Sequence, residues 1–217
     1  EVTFLFLDIQ GFTTISENME PQALTKYLSE YFDIMNKTIL AHQGTLDKYI
    51  GDAIMAFWGA PVDDIDHPLH ACQCAISILH ELEILNLRWQ QTQKPTMKIR
   101  IGIHTGNAVI GNVGSNDRLS YTAIGDSVNL ASRLESLNKI YGTTIIVSAT
   151  TYLLTKNNYN FRLLDNVSVR GKNVGGYIYE LIENTHKLNK YNIAEYNNNF
   201  IQAFIAYQKG NWDIAIS

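Results

Sequence analysis

The sequence predicts an α+β fold in which a mixed or antiparallel sheet is sandwiched with helices, and three observations carry that expectation. Val2-Thr3-Phe4-Leu5-Phe6-Leu7 is a nearly continuous apolar run of strand length, as a central strand covered on both faces requires. Thr45 to Ile50 and Ala53 to Trp58 are separated only by Gly51-Asp52, the mark of a hairpin with a tight turn. Long segments of helical periodicity separate these strand-like runs from later ones.

The elements follow in order. The first strand ends at Asp8. Glu20-Pro21 opens a helix, since proline's fixed φ suits a first turn, and Leu24, Tyr27, Leu28, Tyr31, Phe32, Met35 and Ile39 keep helical spacing until Gly44 offers a stop. After the hairpin, Asp66 is the expected cap of a second long helix carrying Cys72, Ala75, Ile76, Leu79 and Leu82, and Pro95 closes that region. Met97, Ile99, Ile101 and Ile103 alternate with Lys98, Arg100, Gly102 and His104, the period of a half-covered strand. Gly106, Gly111 and Gly114 bend the chain before a short strand from Leu119 to Ile124. A helix from about Ser127 to Tyr141 has Leu130, Ala131, Leu134 and Leu137 on its apolar side. Strands at Thr144 to Val147, Phe161 to Val169 and Tyr177 to Ile182 complete the sheet, the last two joined across Gly171-Lys172. From about Asn184 to Asn199 the chain turns to Asn, Lys and Tyr and reads as a linker, and Phe200 to Ala215 reads as a C-terminal docking helix or, from the spacing of Ala203, Tyr207, Gly210, Trp212 and Ala215, as one partial helical repeat unit. The expected organisation is one domain over residues 1–183 with a linker and helical extension over 184–217.

Composition narrows the function. With 217 residues and 46% hydrophobic content the chain holds one substantial core. A net charge of −4 provides no global basic field for nucleic acid or an anionic membrane surface, so a nucleotide would need local positive charge. Cys72 and Cys74 lie two apart in a helix, where their side chains diverge, so they suit neither a disulfide nor a metal pair and point to a reducing, cytoplasmic setting. No apolar run approaches the roughly 20 residues of a membrane span. The chain opens at Glu1 directly in a strand-like run, and a longer parent protein is expected.

Two acids stand out. Asp8 closes a buried strand and Asp52 sits in the turn of the hairpin; if the hairpin pairs beside the first strand, both carboxylates emerge at one edge and invite a hard divalent cation, most plausibly magnesium. Taken singly, Asp8 is equally a turn cap and Asp52 a turn residue. The segment Ile9-Gln10-Gly11-Phe12-Thr13 can aim backbone N–H groups at a phosphate. Asn129 and Arg133, four apart, share a helix face away from Ala131 and Leu134, which by spacing alone is also what a solvated face looks like. Lys172 is a turn lysine.

Three motifs in register make the pattern specific. Phe6-Leu7-Asp8-Ile9-Gln10-Gly11-Phe12-Thr13, Lys48-Tyr49-Ile50-Gly51-Asp52 and Tyr121-Thr122-Ala123-Ile124-Gly125-Asp126-Ser127-Val128-Asn129-Leu130-Ala131-Ser132-Arg133-Leu134-Glu135 strongly resemble the catalytic domain of class III nucleotidyl cyclases, over residues 1–183. The resemblance implies a ferredoxin-like, palm-like core with a mostly antiparallel sheet flanked by helices. It implies that Asp8 and Asp52, with the Ile9 carbonyl, hold two divalent cations, Mg²⁺ or Mn²⁺, and that the ribose 3′-hydroxyl attacks the α-phosphate in line. Asn129 would then orient the ribose, Arg133 would contact the α-phosphate, Lys172 would bind the terminal phosphates, and Gly11, Phe12 and Thr13 would lie against the phosphate chain.

The purine follows from hydrogen-bond polarity. Lys48 has donors only and Thr122 can accept, which complements the N1 acceptor and N6 amino donor of adenine and opposes guanine. The pair resembles the adenylyl type, with ATP as substrate, whereas guanylyl members typically carry Glu and Cys there. The family's site lies between two domains arranged head to tail, and this chain contains both half-sets, so the resemblance implies a homodimer and a parent carrying an upstream sensory or membrane domain. Two other readings stand beside it. One is a catalytically degenerate cyclase-like domain kept for dimerisation, although none of the key Asp, Asn or Arg residues is lost. The other is a diguanylate cyclase-like enzyme, whose Gly-Gly-Asp-Glu-Phe type turn differs from Ile50-Gly51-Asp52-Ala53-Ile54.

Overall fold

The computed structural model describes residues 1–115, 117–167, 176–182 and 193–216, the side chains of 193–196 excepted. In chain order the elements are β1 (Val2–Ile9), α1 (Phe12–Glu17), α2 (Pro21–Ala41), β2 (Thr45–Ile50), β3 (Ala53–Trp58), α3 (His67–Gln91), β4 (Ile99–Gly106), β5 (Val109–Ser115), β6 (Arg118–Ile124), α4 (Asp126–Tyr141), β7 (Ile145–Ser148), α5 (Ala149–Thr155), β8 (Asn160–Val167), β9 (Gly176–Ile182), α6 (Ile193–Gln208) and α7 (Trp212–Ile216). Seven strands form one sheet in the order β2-β3-β1-β4-β7-β9-β8, and β5 pairs with β6 in a separate ribbon. The main sheet is antiparallel at every described pairing except β4 with β7, which is parallel. The expected α+β class and mostly antiparallel sheet are therefore the observed ones.

Alternation along β1 feeds two cores. Leu5, Leu7 and Ile9 pack with Tyr27, Tyr31, Met35 and Ile39 of α2 and with the apolar side of α3. Val2, Phe4 and Phe6 face the other way, toward Ala123 of β6 and Ala131 of α4. This is why VTFLFL lacks the polar positions of a solvated strand. Cys72 and Cys74 both lie buried and free in the first core, and burial pushes the Cys72 thiol up to about 12.

Several local expectations change. The strand of β1 continues through Asp8 to Ile9 because Asp8 pairs with Arg100 across the sheet. Gly44 is not the left-handed residue after α2; Gln43 is, at φ 64°, and Gly44 is needed because a side-chain carbon there would collide with Ile39 and Trp58. Asp66 precedes α3 but makes no capping bond; instead Asp64 accepts the Asp66 backbone N–H at 3.0 Å and meets His70 Nδ1 at 2.7 Å. The glycine-rich stretch after β4 forms β5 rather than a run of bends, its N–H and C=O groups taken up by β6. Short α1 and α5 escape helical periodicity because six and seven residues are too few to show it. The segment that reads as a linker is helical from Ile193, where Asn197 donates to the Phe161 carbonyl at 2.6 Å and Phe204 meets Tyr177 edge to face.

β4 departs most from its sequence pattern. Its polar side, Arg100, Gly102 and His104, lies under α4 instead of facing water; His104 is 7% exposed and its Nδ1 is 2.8 Å from Ser148 Oγ. Gly102 makes this possible, since a Cβ there would overlap the Glu135 amide nitrogen and the Ala131 carbonyl. Asn138 then ties α4 down by donating to the Ile101 carbonyl at 2.9 Å. A Gly102→Ala substitution is expected to cost at least about 3 kcal/mol, as overpacking against rigid backbone does, read as a lowered urea midpoint at unchanged m-value.

Candidate active site

Asp8 and Asp52 reach the same edge of the sheet by different routes. Asp8 lies at the end of β1, on the face that carries Phe4 and Phe6. Asp52 follows Gly51, whose φ of 64° closes the turn between β2 and β3, and β3 pairs with β1 so that Leu7 lies opposite Ile54. Burial pushes the Asp52 carboxyl above its ordinary value; the charge of Asp8 adds to this, while backbone N–H groups of Asp52 and Ile9 hold it back. Tyr31 of α2 lies fully buried within electrostatic reach of both acids, and its hydroxyl has no hydrogen-bond partner among the described residues.

Arg100 is the residue at this edge that periodicity hides. Its guanidinium donates through Nη2 to Asp8 at 2.6 Å and through Nε to Glu135 of α4 at 2.8 Å. Ser136 donates to the other Glu135 oxygen at 3.1 Å. Burial raises the Glu135 carboxyl and the charge of Asp8 raises it further, with Arg100 opposing both. A reader of the sequence sees Arg100 as one polar position of an alternating strand. The β1–β4 register, which sets Asp8 opposite Arg100, is the signal that would have found it.

Gly11, Phe12 and Thr13 follow β1 directly. Gly11 adopts φ 67° and precedes α1, whose first turn, Phe12 and Thr13, presents amides that by helix geometry have no intrahelical acceptor. Ile9 lies between this turn and the acids.

The structure also joins Lys48 to Thr122, although they lie in different sheets. Asp47 links them: it accepts from Thr122 Oγ1 at 2.7 and 3.0 Å and lies 3.3 Å from Lys48 Nζ. Asn129 and Arg133 are not brought to the acids of their own chain. At about 100° per residue they lie opposite Ala131, Leu134, Glu135 and Asn138, and the structure buries those four while Asn129 and Arg133 are exposed. Lys172 falls outside the described residues.

Two carboxylates, a neighbouring carbonyl and a short turn of amides lie together at this edge, hard oxygen donors beside N–H groups of the kind that bind anions. Among the described residues no group of three or more His, Cys, Asp or Glu side chains is arranged to hold a metal, so the edge relies on two. The fold is that of the class III nucleotidyl cyclase domains to which its structural neighbours belong. The chain belongs to the adenylate and guanylate cyclase catalytic domain family, which it matches over residues 1–192. It is 44% identical to Adenylate cyclase 1 of Rhizobium meliloti (strain 1021) over 182 residues, 84% of this chain and 27% of that protein. Among solved structures it is similar to the adenylyl cyclase CyaB from P. aeruginosa, with a TM-score of 0.78 and 35% identity over 85% of this chain and 95% of that one. The guanylyl cyclase Cya2 also matches, with a TM-score of 0.75 and 31% identity over 85% and 94% of the two chains. Family membership therefore leaves the purine open. The chain spans only about a quarter of the length of the Rhizobium relative. No helix among the described residues is long and apolar enough to cross a membrane.

Removing the cation shared by Asp8 and Glu135 gives a pH-dependent test. Arg100→Met is expected to cost about 3 kcal/mol near pH 8, the low end for breaking a buried ion pair because these side chains keep some exposure. In the variant the folded-state Glu135 pKa rises further above its unfolded value, so the folded chain binds the extra proton and regains stability as pH falls. Urea melts at pH 8 and pH 5 check this, with the smaller deficit expected at pH 5.

Proposed function

We propose that this domain is an adenylyl cyclase that converts ATP to 3′,5′-cyclic AMP, pyrophosphate and a proton, in active sites shared by two copies of the chain. The observation that carries the reading is that the pairing of β3 with β1 brings the Asp52 turn beside the end of β1, where burial first and the charge of Asp8 second raise the Asp52 carboxyl, a pair that a cation would relieve. The donor set fits magnesium, with manganese as a substitute, because two carboxylates and a backbone carbonyl are hard oxygen ligands. Asp8, Asp52 and the Ile9 carbonyl would hold two such ions, which when bound would supply Lewis acidity toward the 3′-hydroxyl and the departing pyrophosphate.

The chain's own residues do the positioning that phosphoryl transfer mainly requires. The amides of Gly11, Phe12 and Thr13 lie against the phosphate chain, and Lys172 holds its end. Lys48 donates to adenine N1 and Thr122 accepts from the N6 amino group. Asn129 orients the ribose, and the planar fork of Arg133 matches the α-phosphate oxygens as charge develops on them.

Geometry also supports the dimer. Asn129 and Arg133 point away from the core that holds their own Asp8, so a second copy must bring them to it. The β5–β6 ribbon exposes Val109 at 72% and Leu119 at 60%, apolar surface suited to a second copy. A head-to-tail pair then forms two equivalent sites. That the chain spans 27% of its Rhizobium relative supports a longer parent protein, in which an upstream sensory or membrane segment would be joined to this domain on the cytoplasmic side.

The purified chain with Mg²⁺ or Mn²⁺ is expected to form cyclic AMP from ATP, with GTP at least about tenfold poorer and Asp8→Asn reduced by about 10² or more. A folded dimer that makes no product with either ion overturns the enzyme reading in favour of a regulatory domain. Asp52→Ala and Arg133→Ala are each expected to be nearly inactive, while mixing them restores about a quarter of wild-type activity through heterodimers with one intact site. Heterodimers shown to form without recovered activity would sink the shared site.

A further inference from the structure

Asp47 sits where β2 breaks its register. Leu46 lies opposite Ala56 and Lys48 opposite Met55, so Asp47 is the extra residue of a β-bulge, a device that re-aims a side chain. Without the bulge, alternation would send Asp47 and Lys48 to opposite faces; with it their charged groups meet at 3.3 Å. The Asp47 side chain is fully buried, while that of Lys48 is 43% exposed. The carboxylate accepts the Thr122 hydroxyl at 2.7 and 3.0 Å and the Ala123 backbone N–H at 3.2 Å. One acid therefore clamps the ribbon to the main sheet at the two residues assigned to the base.

Its chemistry does more than clamp. An ionised carboxylate only accepts, and a threonine hydroxyl has one proton. With that proton held by Asp47, the Thr122 oxygen has only lone pairs left to offer. Lys48, tethered through the same carboxylate, still presents its remaining N–H groups outward. We propose that Asp47 is a positioning residue that sets the polarity of the base-reading pair, making Thr122 an obligate acceptor and so favouring a purine with an amino group at position 6 over one with a carbonyl. The proposal rests on the reading of Lys48 and Thr122 as base-facing residues.

Asp47→Asn keeps the shape but supplies an amide that can rotate its NH₂ toward Thr122, freeing the hydroxyl to donate. The experiment measures kcat/KM for ATP and GTP, and calorimetric Kd for 3′-deoxy-ATP and 3′-deoxy-GTP, which lack the attacking hydroxyl and so report recognition without turnover. The ATP-to-GTP ratio is expected to fall at least about tenfold by both measures in Asp47→Asn, the scale of one mispaired hydrogen bond. Thr122→Val is expected to lower the ratio too, and adding Asp47→Asn to it should change the ratio no further. A merely structural Asp47 would depress both nucleotides together and leave the ratio alone, which overturns the proposal if Thr122→Val has shifted it. If neither Thr122→Val nor Lys48→Glu moves the ratio, the base-reading assignment itself has failed. Should Asp47→Asn not fold, Asp47→Ser, whose hydroxyl can give as well as take a proton, carries the same comparison.

Discussion

At Gly102 the backbone of α4 lies against β4 with no room for a side-chain carbon between them, and that close approach sets how α4 and its side chains sit against the sheet. It carries Glu135 to Arg100, and Arg100 in turn to Asp8 across the β1–β4 register. It also turns the opposite side of α4 outward, taking Asn129 and Arg133 away from their own acids. One glycine thus sets which side of α4 packs on the sheet and which side faces outward.

Electrostatics at this edge is a balance of like charges. Burial disfavours the ionised forms of Asp52 and Glu135, the charge of Asp8 adds to both, and Arg100, bonded to Asp8 and Glu135, supplies positive charge within the chain. The second polar cluster works differently: Asp47 is satisfied by neutral donors and one ammonium, and its service is to hold two strands from separate sheets in a fixed relation.

Much of this was legible in the chain. The hairpin limits, Thr45–Ile50 and Ala53–Trp58, follow from β-rich runs around a turn that only a residue tolerant of positive φ can make, and the structure keeps them unchanged. The long helices follow from apolar spacing, and Asp8 with Asp52 from strand ends that must converge once β1 and β3 pair. Arg100, Glu135 and Asp47 were not legible. Each is an ordinary polar residue at an ordinary polar position, and its importance arises from a register, a helix seating or a bulge that no local pattern encodes.

By itself the sequence determined the strands and long helices of the core, the family and the identity of the residues available to chemistry, because periodicity, turn chemistry and ordered motifs are local properties. Only the tertiary structure decided which of those residues meet. Pairing of β1 with β3 and β4 joined Asp8 to Asp52 and Arg100, the bulge at Asp47 joined Lys48 to Thr122, and the seating of α4 kept Asn129 and Arg133 from their own acids. The physical reason is that charge balance and hydrogen-bond polarity act over a few ångströms in space, whatever the distance along the chain.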